Sequence, residues 1–144
     1  MKESTVPQPL DTSKSLEELE DDRWPDPPEE TTSLVRAIHE LRRRPIGTLE
    51  SHELARLIAQ KEGVPLLLPL AVRILSESVR AQAEGEYFFD DELLYATVIV
   101  DPEVWRDMPE VARELKAAVV TLKDLSAYLK SDVERFISSL PEDV

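Results

Sequence analysis

Apolar side chains recur at helical spacing along most of the chain, and capping residues and prolines cut that pattern into segments. Ser15 followed by Glu18 makes a capping box, with Leu16 and Leu19 apolar and acids in the first turn. Three prolines in Trp24-Pro25-Asp26-Pro27-Pro28 end this short helix, and residues 24–32 are expected to run extended, with Trp24 packed as an anchor. Thr32 or Ser33 caps a helix to about Arg43, whose stripe is Leu34, Val35, Ile38 and Leu41. Pro45-Ile46-Gly47 reads as a turn. Ser51 caps a helix over 52–61, with Leu54, Leu57 and Ile58 inside and Gly63 closing it as the residue just past its end. Pro65 sits in the first turn of a helix over 65–80 that is apolar nearly all round at its start, which makes it the central one. Pro69, early in that helix, is positioned to kink it.

Gly85 interrupts the pattern, and Asp90 caps a further helix with an apolar body from Leu93 to Val100. Val98-Ile99-Val100 alone has strand character, but a single strand has nothing to pair with, so the helical reading is kept. Asp101-Pro102 starts a turn with Val104 and Trp105 facing in, and Pro109 opens a long helix to about Ala127. A last helix from about Asp132 carries Val133, Phe136, Ile137 and Leu140. These segments predict an all-α fold, a single compact domain of about six to seven helices over residues 14–144, with an extended Pro-rich N-terminal strap. Residues 1–13, rich in Pro, Ser and Thr and without periodicity, are expected to be a disordered tail. Only three glycines in 144 residues argue the same way, since a strand-rich fold of this size needs more turn glycines. Cysteine is absent, which removes disulfides, thiolate metal sites and a cysteine nucleophile, and suits a reducing cytoplasm. The first five residues have no apolar stretch behind them, so no signal peptide is expected. The longest apolar run, Val64 to Leu75, is broken by Pro65, Pro69 and Arg73, so no membrane span is expected either.

Charge changes the picture. The formal net charge is −13, and it is unevenly placed. Residues 33–83 carry eight Arg/Lys against five Asp/Glu, whereas residues 1–32 carry ten acids and three bases. Residues 84–108 carry eight acids and one base. There Glu84, Glu86, Asp90, Asp91, Glu92, Asp101, Glu103 and Asp107 cluster in sequence around Tyr87, Phe88 and Trp105. Such a field attracts a basic partner and repels nucleic acid, whose phosphates need Lys and Arg. These eleven residues form the candidate binding site, with Tyr87, Phe88 and Trp105 as aromatic anchors where they are exposed. Burial of Tyr87 and Phe88 or Phe89 at a loop-to-helix junction is the plainer alternative. A competing surface is the acidic block from Glu17 to Glu30.

Catalytic and metal motifs fail. The chain has no G-x-G-x-x-G, no P-loop and no H-E-x-x-H, because Arg43 and Arg56 stand four residues beyond His39 and His52. Two histidines fall short of the three or four converging ligands a zinc site needs. Paired carboxylates abound among 30 acids, so they give a glycosidase-type reading no specific support. Neither a catalytic residue nor a cofactor is expected. Arg42-Arg43-Arg44, the one basic cluster, is a weak nucleic-acid patch in this field. It reads better as a solvated helix end or an internal partner for the acidic segments.

Lys14-Ser15-Leu16-Glu17-Glu18-Leu19-Glu20, Trp24, Pro27-Pro28, Leu34-Val35, His39-Glu40-Leu41-Arg42 and Pro45-Ile46 together resemble contact-dependent growth inhibition (CDI) immunity proteins. The resemblance continues through Leu57-Ile58-Ala59-Gln60, Gly63, Leu67-Leu68-Pro69-Leu70-Ala71, Glu84-Gly85, Tyr87 and Leu93-Leu94, and covers roughly residues 14–106. The chain departs from the pattern after Gly85, where Tyr87 to Leu94 is two residues longer than a Tyr-x-x-Asp-Leu-Leu-like run. The resemblance implies a small cytoplasmic antidote, not an enzyme, that binds the C-terminal toxin domain of an adhesin delivered by a neighbouring bacterium. Many such toxins are nucleases with basic substrate clefts, which the acidic field read from the residues suits. Two readings from other classes stand beside it: a scaffold module that binds a basic helix or tail, and a carboxylate-based hydrolase.

Overall fold

The computed structural model describes residues 11–83, 91–122 and 125–141. Among them are eight α-helices, one 3-10 turn and, in place of any strand, a single antiparallel bridge between Ser15 and Pro45. The all-α expectation holds. The chain divides into two compact units, one ending at Leu49 and the other beginning at Glu50.

The first unit holds α1 (Leu16–Glu20), α2 (Ser33–Arg43) and the 3-10 turn Ile46–Thr48. The predicted capping box opens α1: the Ser15 backbone N–H donates to the Glu18 carboxylate at 3.0 Å, and the Glu18 N–H donates to the Ser15 hydroxyl at 3.3 Å. Thr32 caps α2, its hydroxyl accepting from the Val35 N–H at 3.2 Å. Residues 11–13, expected with the tail, are instead hydrogen-bonded, the Thr12 carbonyl accepting from the Gly47 N–H at 2.9 Å. A Cβ on Gly47 would come within 3.0 Å of Thr12, so this close approach needs glycine. Asp11 accepts from the N–H and the hydroxyl of Ser13, and these bonds hold its carboxyl below the usual carboxylate range.

Helix α2 does not bury the stripe read from its sequence. Ile38 and Leu41 are buried, but Leu34 and Val35 stay about two-fifths exposed, and the third buried residue is Arg42. The extended strap after α1 explains this. The end of α1 places the Glu20 carboxylate 2.6 Å, and the strap the Asp22 carbonyl oxygen 3.0 Å, from the Arg42 guanidinium, which lies 4.3 Å from the centre of the Trp24 ring. These charge-assisted bonds and the ring face offset the cost of taking the cation out of water. Trp24 also meets His39 edge-on, with ring centres 4.9 Å apart, and its backbone N–H donates to the Glu17 carboxylate at 3.1 Å. Arg43 donates to the Trp24 carbonyl at 3.1 Å and pairs with Asp26 at 2.9 Å, while Arg36 donates to the Glu29 carbonyl. Arg42 and Arg43 are thus internal partners of the acidic strap.

The second unit holds α3 (Ser51–Ala59), α4 (Val64–Ala83), α5 (Asp91–Val98), α6 (Pro102–Arg106), α7 (Pro109–Val119) and α8 (Ala127–Ser139). Helix α3 starts one residue before the expected point, and the Glu53 carboxylate accepts from the Glu50 N–H at 2.9 Å. Gly63 does not close α3. Lys61 takes the left-handed conformation past that helix, and Gly63, at φ 62°, opens α4 by accepting from the Leu66 and Leu67 N–H groups. Pro69 lies inside α4, which runs on through it. The expected long helix from Pro109 to Ala127 stops at Val119, and the Ser126 hydroxyl caps a separate helix by accepting from the Leu129 N–H at 3.3 Å. Pro102 at its first turn makes α6 a helix where the sequence suggested a turn.

Helices α3, α4 and α8 all pack against α5, and α7 packs against α4. Leu54, Leu57, Leu67, Leu68, Leu93, Leu94 and Leu115 are fully buried and form the core of this unit. Trp105 is buried too, meeting Phe136 of α8 edge-on with ring centres 5.1 Å apart. The Trp105 indole N–H has no acceptor among the described residues.

Two stability tests follow from these contacts. Arg42→Ala should cost about 3 kcal/mol in chemical denaturation, as breaking a buried ion pair does. Arg42→Lys should recover only part of this, because an ammonium lacks the planar fork that meets Glu20, Asp22 and the ring together; full recovery would reduce the contact to charge alone. Trp105→Phe should cost far less than Trp105→Ala, which should lose about 3–5 kcal/mol. Equal losses would mean that a phenyl ring at this position recovers none of the packing against Phe136.

Candidate functional site

The acidic region is organised by α5. Leu93, Leu94, Ala96, Thr97 and Val98 are buried, and the Thr97 hydroxyl is satisfied by donating to the Leu94 carbonyl at 2.8 Å. What remains exposed is a narrow stripe, Asp91, Glu92 and Tyr95, continued one residue past the helix by Ile99, whose N–H donates to the Tyr95 carbonyl at 3.2 Å. Positions 91, 95 and 99 are spaced i, i+4, i+8 and share one side of the helix. Tyr95 is 49% and Ile99 44% exposed, which is high for side chains of that size.

The candidate residues fall in two groups along this stripe. Asp91 and Glu92 stand exposed in the first turn of α5, where the helix dipole favours acids. Asp101, Glu103 and Asp107 lie beyond its other end, all exposed. Helix α5 is roughly 12 Å long at the α-helical rise, so the two groups do not touch. Asp101 caps α6 by accepting from the Glu103 N–H at 2.9 Å, and Asp107 follows the last turn. Glu84, Glu86, Tyr87, Phe88 and Asp90 lie outside the described residues.

Trp105 requires correction as an anchor. Only 2% of it is exposed, because its ring is taken up by Phe136, and it supports the fold instead of meeting a partner. Within α5 and α6 the exposed aromatic is Tyr95, which the sequence reading passed over inside an apolar run. The signal was there: positions 91, 92, 95 and 99 repeat at helical spacing.

Beside Ile99 opens a groove of about 340 Å³. Its apolar lining includes Ile58, Val64, Ile99 and Val104, and its two charged lining residues, Lys61 and Asp101, are both exposed. Among the described residues no group of three or more His, Asp or Glu could hold a metal ion, and no helix is long and apolar enough to cross a membrane.

In the first unit the acidic block is differently placed. Glu17, Glu20 and Asp26 face Arg42 and Arg43, so part of its charge is spent within the unit. Glu29 and Glu30 are exposed.

Acids, an exposed tyrosine and an apolar groove thus adjoin on one packed helical unit. The model of a family described as CDI immunity proteins matches residues 18–115, and the chain belongs to that family. It is therefore an immunity protein directed at a CDI toxin. No curated protein and no solved structure matches the chain.

The exposed stripe has a direct test in stability. Tyr95→Ala should shift the unfolding free energy by no more than about 0.5 kcal/mol, as surface changes do. Leu94→Ala, one residue away and fully buried, should cost about 3 kcal/mol. Comparable losses would place Tyr95 in the core.

Proposed function

We propose that the chain neutralises its toxin by binding alone, in the cytoplasm, with the α5–α6 surface against a basic face of the toxin domain. The toxin on this reading is a nuclease whose substrate cleft carries the positive charge. The observation that carries the proposal is the exposed stripe of α5, Asp91-Glu92-Tyr95-Ile99, flanked by Asp101, Glu103 and Asp107. Acids steer encounter with a basic partner, and an exposed aromatic beside them supplies contact area that holds the complex once formed. Glu84, Glu86, Tyr87, Phe88 and Asp90 join the proposal through their sequence position and charge, next to Asp91. The strap is the weaker candidate because several of its acids already face Arg42 and Arg43.

Association kinetics with the toxin domain test this reading. A variant with Asp91, Glu92 and Glu103 changed to Lys should associate about tenfold more slowly at low salt, with a flatter salt dependence and an unchanged circular dichroism spectrum. A variant with Glu29 and Glu30 changed to Lys serves as the comparison and should associate nearly as the unaltered chain does. The reverse result would move the binding surface to the strap.

A further inference from the structure

Acidic steering leaves the groove beside Ile99 unexplained, since its lining is largely apolar. We propose that this groove is an anchor pocket that receives one apolar side chain carried on a basic segment of the toxin domain. The proposal rests on the immunity reading above and adds where the segment docks and what chemistry it has.

Size and surface support an occupant. About 340 Å³ falls at the lower end of the pocket volumes that hold a ligand group, which suits a single large side chain. Ile99 belongs both to the exposed stripe of α5 and to the lining, so a partner lying along the stripe passes over the groove.

Charge selects the kind of segment. Helix α5 has no basic residue in its last turn, so the partial negative charge of its C-terminal carbonyls is not offset by a cation of that turn. Asp101 lines the same groove, and Glu103 and Asp107 are exposed close by in sequence. Lys61 is the opposing cation of the lining, so the basic groups of the segment belong on the Asp101 side. The whole second unit carries nineteen acids against ten bases. A second copy of this chain, at a net charge of −13, would meet that field as like on like, whereas a basic segment is drawn to it. In such an arrangement the acids act mainly on association and the buried apolar anchor mainly on dissociation.

Two variants separate the pocket from the surface around it. Ala59, an exposed residue of the lining, changed to Trp fills the groove; Ile99→Ser removes part of its wall. Each is assayed by binding kinetics against the cognate CDI toxin domain, with circular dichroism and sedimentation of the free chain. The expected result is dissociation faster by about tenfold or more, association within about twofold, and an unchanged fold. Unchanged dissociation for both folded variants, with the unaltered chain binding tightly, overturns the pocket and leaves the immunity reading standing. A change in the sedimentation of the free chain without a change in toxin dissociation also overturns it, by assigning the groove to a second copy. Failure of the unaltered chain to bind the toxin domain overturns the immunity reading and the pocket with it.

Discussion

The packing of α3, α4 and α8 against α5 decides what the acidic half of this protein can present. A short helix pressed on several sides has only one line of side chains left for solvent. In α5 the buried set is Leu93, Leu94, Ala96, Thr97 and Val98. Burial of those leucines draws α5 inward at about 2 kcal/mol each. The cost of taking in Thr97 is small because its hydroxyl bonds a carbonyl of its own helix. The outward line, Asp91, Glu92, Tyr95 and Ile99, is then fixed by helical geometry. Charge, an amphipathic ring and the edge of an apolar groove thus follow one another along a single rigid element. A site carried on a packed helix needs little reordering on binding, which favours affinity.

In the first unit, charge serves the fold. The strap is poor in apolar side chains and could not hold itself down by burial alone. It is held by Trp24, which is set between the Arg42 guanidinium and the His39 ring, and by carboxylates that meet Arg42 and Arg43. The same acids that look like a binding surface in sequence are thereby drawn into intramolecular pairs. Two acidic segments of similar composition are thus differently placed, the first facing Arg42 and Arg43 and the second exposing Asp91, Glu92, Asp101, Glu103 and Asp107.

Much of the fold was legible because local rules governed it. The Ser15–Glu18 capping box, the start of α2 at Ser33, Pro102 and Pro109 in first turns and the apolar start of α4 all appear where the sequence places them. What was not legible depended on partners distant in the chain. Leu34 and Val35 satisfy the helical stripe but remain about two-fifths exposed, while Arg42 is buried because the segment after α1 returns over it. Trp105 sits among acids in sequence, yet Phe136 takes up its ring. The break before the last helix was expected between about Ala127 and Asp132 but falls between Val119 and Ala127, because apolar spacing continues through Leu122 and Leu125 although Ser126 caps α8. For the binding surface, the acids were readable but the side of the helix they share was not. Tyr95 fits the same spacing, but its exposure follows only once Leu93, Leu94, Ala96, Thr97 and Val98 are seen to be buried.

The central claim is that α5 and α6 carry the toxin-facing surface. Amide hydrogen exchange on the chain, free and in complex with its toxin domain, tests this most directly, since protection reports where backbone opening is suppressed. Added protection on complex formation should concentrate in residues 91–107 and extend to the end of α3 beside the groove. Protection confined to residues 16–43, with α5 and α6 unchanged, would contradict it.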